Sequence, residues 1–89
     1  MKAVLVFVDD YMEAVNAHIS HDLGLDCESP EINDFLCKER EKAQIFAISM
    51  LEAGEKYIDS VSNVVKYYEK FLTDHKEILK GFSNGCRRN

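Results

Sequence analysis

The sequence has few residues that interrupt helices and no long hydrophobic run. One proline and four glycines occur in 89 residues, and this shortage of helix breakers favours long helices. No apolar run approaches the roughly 20 residues that span a bilayer, so we expect no membrane partner. An apolar run follows Lys2, but Asp9 and Asp10 come directly after it without a small-residue cleavage site, which argues against a signal peptide.

Cysteines and nucleotide-binding motifs are also scarce. The three cysteines, Cys27, Cys37 and Cys86, lack the even number and the spacing of a disulfide framework, which is typical of reduced thiols in the cytoplasm. There is no glycine-rich phosphate loop and no dinucleotide fingerprint. With 46% hydrophobic and 30% charged residues, the composition predicts one helical domain over residues 1–82 and a flexible C-terminal tail at 83–89.

The stretch from Asp9 to Asp34 contains no Lys or Arg, and the charge is distributed unevenly along the whole chain. Residues 1–59 carry 13 acidic and 5 basic side chains, whereas residues 60–89 carry 3 acidic and 6 basic ones. Two halves of opposite charge can guide packing within the chain or between subunits, or can recruit a basic protein partner. The charge distribution argues against nucleic acid, because neutralising phosphates needs clustered cations. The predicted partner-binding acids are Asp9, Asp10, Glu13, Asp22, Asp26, Glu28, Glu31 and Asp34.

The first apolar segment is predicted to be a helix. Residues 4–8 are rich in β-formers, but the apolar residues of 3–23 fall in one arc at about 100° per residue. Gly24 suits the left-handed position that ends a helix, and Leu25 is available for the apolar contact that often closes such an end.

A heptad pattern follows Ser29 and Pro30, which suit a helix cap and a first helical position. Apolar residues recur every seven positions from Leu36 to Ile78, and a second row lies four residues later. The pattern predicts an all-α, coiled-coil-like helical hairpin whose second helix runs from about 30 to 82, with or without a kink at Gly54. The alternative is a three-helix bundle that turns at Gly54.

A continuous second helix would leave its own second half uncovered. We therefore predict a homo-oligomer, a dimer or larger, because the seam would otherwise be an apolar stripe in water. Tyr67 projects off this seam and is predicted to be an aromatic anchor for a partner. The seam residues are Met50, Tyr57, Val61, Val64, Tyr68, Phe71 and Ile78.

Two histidines and a cysteine near the end of the first helix are the candidate ligands for a metal. His18, His21 and Cys27 match no standard zinc spacing, and a packed His18 with a solvated His21 explains the pattern better. We predict no metal and no cofactor.

Carboxylates supply the enzyme alternative. Glu52, Glu55 and Asp59 share one side of the second segment and, with Glu39 and Glu41, the set resembles over a handful of residues the ExxE and ExxD helices of the all-α MazG-like nucleotide pyrophosphohydrolases. That resemblance implies bound magnesium and nucleotide hydrolysis. The gaps between these carboxylates differ from the family pattern, and a solvated surface is the preferred interpretation.

The leading prediction is a non-enzymatic interaction protein that binds and blocks another macromolecule. Phage-encoded inhibitors, immunity proteins and antitoxins include proteins of this size and charge. The second prediction is an oligomeric small-molecule or nucleotide-binding protein with a pocket lined by tyrosine and histidine between subunits. A metal-dependent nucleotide hydrolase comes third.

Overall fold

The computed structural model describes the backbone of residues 2–87 and the side chains of residues 2–82. Within residues 2–87 the chain forms helices and no strand, which confirms the predicted all-α class. The helices form a bundle that measures 47 × 20 × 18 Å. The elements are α1 (Lys2–Ala17), a π-helical turn (His18–Asp22), α2 (Pro30–Glu52), α3 (Val61–Asp74) and α4 (Lys76–Arg87).

Helix α1 lies between α2 and α3 and contributes much of the core. It contacts both helices, which is why its apolar arc is broad. The prediction of a helix instead of a strand is therefore confirmed. The buried residues of α1 are Val4, Phe7, Val8, Tyr11, Met12 and Val15.

The end of the first helical segment also follows the prediction. Gly24 has a φ of +66°, the left-handed conformation that glycine adopts without strain. Leu25 is buried, and its N–H donates to the carbonyl of Ile19 at 2.9 Å. This connection lets α2 return along α1, so that Arg40 reaches Asp9.

The predicted continuous second helix is wrong. Helix α2 ends at Glu52, and Gly54 adopts a φ of +97°, outside the helical range. Helix α3 begins after Ser60, whose Oγ accepts the Asn63 N–H at 3.3 Å as an N-cap. The chain turns here because α3 can then cover Phe7 of α1, as the three-helix alternative requires. A further break at His75 separates α3 from α4.

The structure differs from the prediction in detail at the start of α2 and at the end of the chain. Helix α2 does begin at Pro30, but the side chain of Ser29 makes no capping hydrogen bond. Residues 83–87 of the predicted flexible tail continue α4 as helical backbone, because extending an existing helix costs less than starting one. Arg88 and Asn89 lie outside the described residues. Among the described helices, none combines the length and the apolarity needed to cross a bilayer.

Candidate functional site

The predicted partner-binding acids are all exposed. They run from the middle of α1 through the π-helical turn and the connecting segment to the first turns of α2. We call this set the acidic surface. Its members are Asp9, Asp10, Glu13, Asp22, Asp26, Glu28, Glu31 and Asp34.

Three acids of the acidic surface are paired with cationic or ionisable side chains. Arg40 donates from both terminal nitrogens to Asp9 Oδ1, at 3.0 and 3.2 Å. The Lys38 ammonium lies 3.0 Å from Asp34 Oδ2. His18 Nδ1 lies 2.8 Å from Asp22 Oδ2.

The rest of the acidic surface is left to solvent. Asp26 accepts the Glu28 N–H at 2.9 Å and so shapes the connecting segment. Among the residues that the structure describes, Asp10, Glu13, Glu28 and Glu31 form no ion pair. These four carboxylates are available to an incoming cation.

A second polar cluster is buried between the helices. Glu39 of α2 is 2% exposed and is the one buried charged side chain within residues 2–82. Its Oε1 lies 2.8 Å from His75 Nε2 and 3.2 Å from Lys42 Nζ. Its Oε2 accepts a long hydrogen bond of 3.4 Å from the hydroxyl of Tyr11. Since α1, α2 and the α3–α4 junction all contribute, this cluster ties the bundle together.

The His75 ring fixes where a proton resides in this cluster. Its Nδ1 lies 2.9 Å from the carbonyl oxygen of Phe71, which can only accept, so Nδ1 carries a hydrogen. One further proton then lies between Nε2 and the Glu39 carboxyl, on either partner. Both carboxyl oxygens are engaged, so Glu39 is a structural group and is poorly placed to act as a general base.

The cluster lies at the side of an open cleft of about 310 Å³. Tyr11 and Tyr67 form one wall, with ring centroids 4.7 Å apart in an edge arrangement. Burial, and then the charge of Glu39, raises the pKa of both phenols. The two phenol hydroxyls therefore stay protonated and able to donate hydrogen bonds well into alkaline conditions.

The structure corrects the predicted position of Tyr67. Its ring stacks on Phe46 at 4.5 Å and contacts Phe7 at 5.5 Å, so it faces the core instead of projecting away from it. The physical reason is the turn at Gly54, which brings α3 back onto α1 and α2. Only part of the ring remains for a partner.

The predicted oligomer seam is divided between core and surface. Val64 and Phe71 are buried in this chain, and Met50 and Tyr68 are half-buried. Tyr57, Val61 and Ile78 are exposed, Tyr57 by 71%. The seam is therefore not one continuous stripe, because α1 covers much of it.

The weighed metal and catalytic groups do not come together. His18 packs edge-on against Tyr68, and His21 is exposed. Cys27 Sγ lies 3.8 Å from the carbonyl of Asn16, and burial, followed by the charge of Asp26, raises its pKa.

The carboxylates of the enzyme alternative are also dispersed. Glu52 ends α2, while Glu55 and Asp59 lie on the following turn, where Glu55 accepts the Tyr57 N–H at 3.1 Å. Within the part of the chain that the structure describes, no three His, Cys, Asp or Glu side chains form a metal-binding group.

Comparison of the chain with protein-family models, curated proteins and solved structures finds no match.

Proposed function

We propose that this chain is a small non-enzymatic binding protein that occupies a surface of a basic protein partner through its acidic surface. The observation that carries the proposal is the exposure of all eight acids on one continuous stretch of chain, from the middle of α1 to the first turns of α2. Five of them form no ion pair among the described residues, and four of these five, Asp10, Glu13, Glu28 and Glu31, also accept no hydrogen bond there. Once this chain is bound, it would block the partner's other ligands from the same surface.

Electrostatics supports a charged partner. Grouped charges of one sign raise the rate at which an oppositely charged protein docks and disfavour like-charged competitors. The stretch from Asp9 to Asp34 contains no Lys or Arg, and the nearest cations, Lys38 and Arg40, neutralise only two of the acids. The acidic surface together with Lys38 and Arg40 therefore carries a net negative charge.

Self-association is a separate part of the proposal. The turn at Gly54 gives α3 a cover within its own chain, which removes one reason for a dimer. Tyr57, Val61 and Ile78 are the predicted seam residues that still expose apolar surface. Light scattering across a dilution series measures the mass in solution. A mass that stays at 10.2 kDa at every concentration would rule out the homo-oligomer.

Charge reversal tests the acidic surface. The test variant combines Asp10→Lys, Glu13→Lys, Glu28→Lys and Glu31→Lys. The control combines Glu41→Lys, Glu52→Lys, Glu69→Lys and Glu77→Lys, which are exposed acids outside the acidic surface and give the same change in net charge.

Partners are first identified by crosslinking and mass spectrometry and then purified for affinity measurements. We expect the test variant to bind about tenfold or more weakly, which corresponds to about 1.4 kcal/mol or more, and the control to bind nearly as well as the natural chain. Unchanged binding of the test variant to every identified partner would rule out the acidic surface.

A further inference from the structure

A second pocket lies between the C-terminal half of α2 and the first turns of α3. Its charged side chains are cationic, in contrast to the acidic surface. Its volume is about 190 Å³. Phe46 and Met50 of α2 and Ile58 of the connecting turn line it, and Ile58 is 1% exposed. The stacked rings of Phe46 and Tyr67 both line it and form its aromatic wall. The interior of the pocket is therefore apolar.

The rim of this pocket is cationic. Lys66 and Lys70 lie one helical turn apart on α3, line the pocket and are exposed. Neither ammonium lies within ion-pair distance of a carboxylate among the described residues. No Asp or Glu lines the pocket, although the chain as a whole carries a formal net charge of −5. The charged side chains that line this pocket are therefore all cationic.

We propose that this pocket binds a small amphiphilic anion, an aliphatic or aromatic group that ends in a carboxylate. The apolar body packs between Met50, Ile58 and the aromatic wall, while the carboxylate accepts hydrogen bonds from Lys66 and Lys70. The pocket volume is below the roughly 300 Å³ at which drug-sized sites begin, so the ligand is a short chain or a single ring. This proposal is independent of the acidic surface.

Charge complementarity selects this ligand over the alternatives. An ammonium amphiphile would meet two like charges at the rim, and a neutral alcohol would leave both lysines without a counterion. The neighbouring cleft beside Glu39 is a poorer site for this anion. The Glu39 carboxyl is itself anionic or acidic, is buried, and is already engaged by His75 and Lys42.

The experiment uses octanoate as the probe, with octylammonium and octanol as chemical controls. Binding is followed by amide chemical shifts of the full chain labelled with nitrogen-15. We expect octanoate to shift the amides of Asn63, Lys66, Tyr67 and Lys70 in a saturable way, and octylammonium to leave them unchanged. Octanol is expected to bind more weakly than octanoate.

Two matched double variants test the rim. Lys66→Gln with Lys70→Gln removes both cations from exposed positions, so the fold is expected to persist. Lys76→Gln with Lys80→Gln removes an equally spaced pair on α4 that does not line the pocket. We expect octanoate to bind about tenfold more weakly to the first variant, and with unchanged affinity to the second.

Several results would overturn the proposal. One is the absence of saturable shifts with octanoate, and another is equal binding of octylammonium. A third is unchanged octanoate affinity after Lys66 and Lys70 are neutralised.

Discussion

His75 Nε2 lies 2.8 Å from Glu39 Oε1, and this contact joins the junction of α3 and α4 to the middle of α2. The carboxyl is almost fully buried, whereas the imidazole is 19% exposed. A buried charge is tolerated only when its partners are in place, so this pair fixes where the last part of the chain docks.

Replacing His75 by Leu is expected to destabilise the bundle strongly. The change removes the nearer of the two nitrogens that contact the buried Glu39 carboxyl and leaves that carboxyl with Lys42 and the long Tyr11 contact, which costs about 3 kcal/mol in the free energy of unfolding. Urea denaturation followed by circular dichroism measures it. Lys42→Met, which removes a largely exposed partner, is the control and is expected to cost less than about 1 kcal/mol.

The double variant Glu39→Leu with His75→Leu sharpens this test. Removing both polar groups leaves no uncompensated charge, so much of the lost stability is expected to return. If His75→Leu alone costs no more than Lys42→Met, the contact does not hold the junction.

Alkaline conditions are expected to destabilise the fold through its buried tyrosines. Burial, followed by the charge of Glu39, raises the pKa of Tyr11 above its usual value near 10. Because the pKa of Tyr11 is higher in the folded state than in the unfolded chain, the phenol's contribution to the free energy of unfolding is fully present below about pH 10. That contribution is lost as the pH rises above about 10, where the phenol of the unfolded chain ionises. Unfolding free energies measured between pH 8 and pH 11.5 are expected to fall most steeply above about pH 10, after a smaller loss from Cys27, whose raised pKa acts from about pH 9.

Tyr11→Phe provides the control for the alkaline effect. Its phenol accounts for part of the pH dependence, so the variant is expected to lose less stability between pH 8 and pH 11.5 than the natural chain. At pH 8 the variant loses only the long hydrogen bond to Glu39, at a cost of about 1 kcal/mol. An unchanged slope above pH 10 would contradict the assignment to Tyr11.

Gly54 and Gly81 are expected to respond to alanine with opposite signs. A Cβ at either position meets no atom within 4 Å, so crowding plays no part. Gly54 has a φ of +97°, and alanine there is strained by about 1–2 kcal/mol. Gly81 lies inside α4, where alanine is expected to stabilise the helix by about 0.5–1 kcal/mol. Thermal melting of both variants measures the difference, and a loss of stability at both positions would contradict this account.

Helix content could be predicted from the sequence because periodicity reports it directly. The arc of α1 and the start of α2 at Pro30 were both read from local spacing. Spacing alone could not choose between a continuous helix and a turn at Gly54, because the heptad phase continues through the turn. Tyr57 occupies a seam position in that phase yet lies 71% exposed on the turn.

The buried cluster left one signal that sequence reasoning did not use. Glu39 falls between Leu36 and Ala43 at helical spacing and therefore lies on the buried face of α2. A charged side chain at such a position predicts a buried partner. His75 could not be paired with it from the sequence, because the pairing depends on how α3 folds back.

The salt dependence of the association rate tests the acidic surface most directly. With a purified basic partner, stopped-flow or surface-binding kinetics would be recorded from about 0.05 to 0.5 M salt, a range over which screening of exposed charges becomes nearly complete. If the acidic surface steers docking, the association rate constant falls by about tenfold or more while the dissociation rate changes little. An association rate that does not respond to salt would contradict the proposed function.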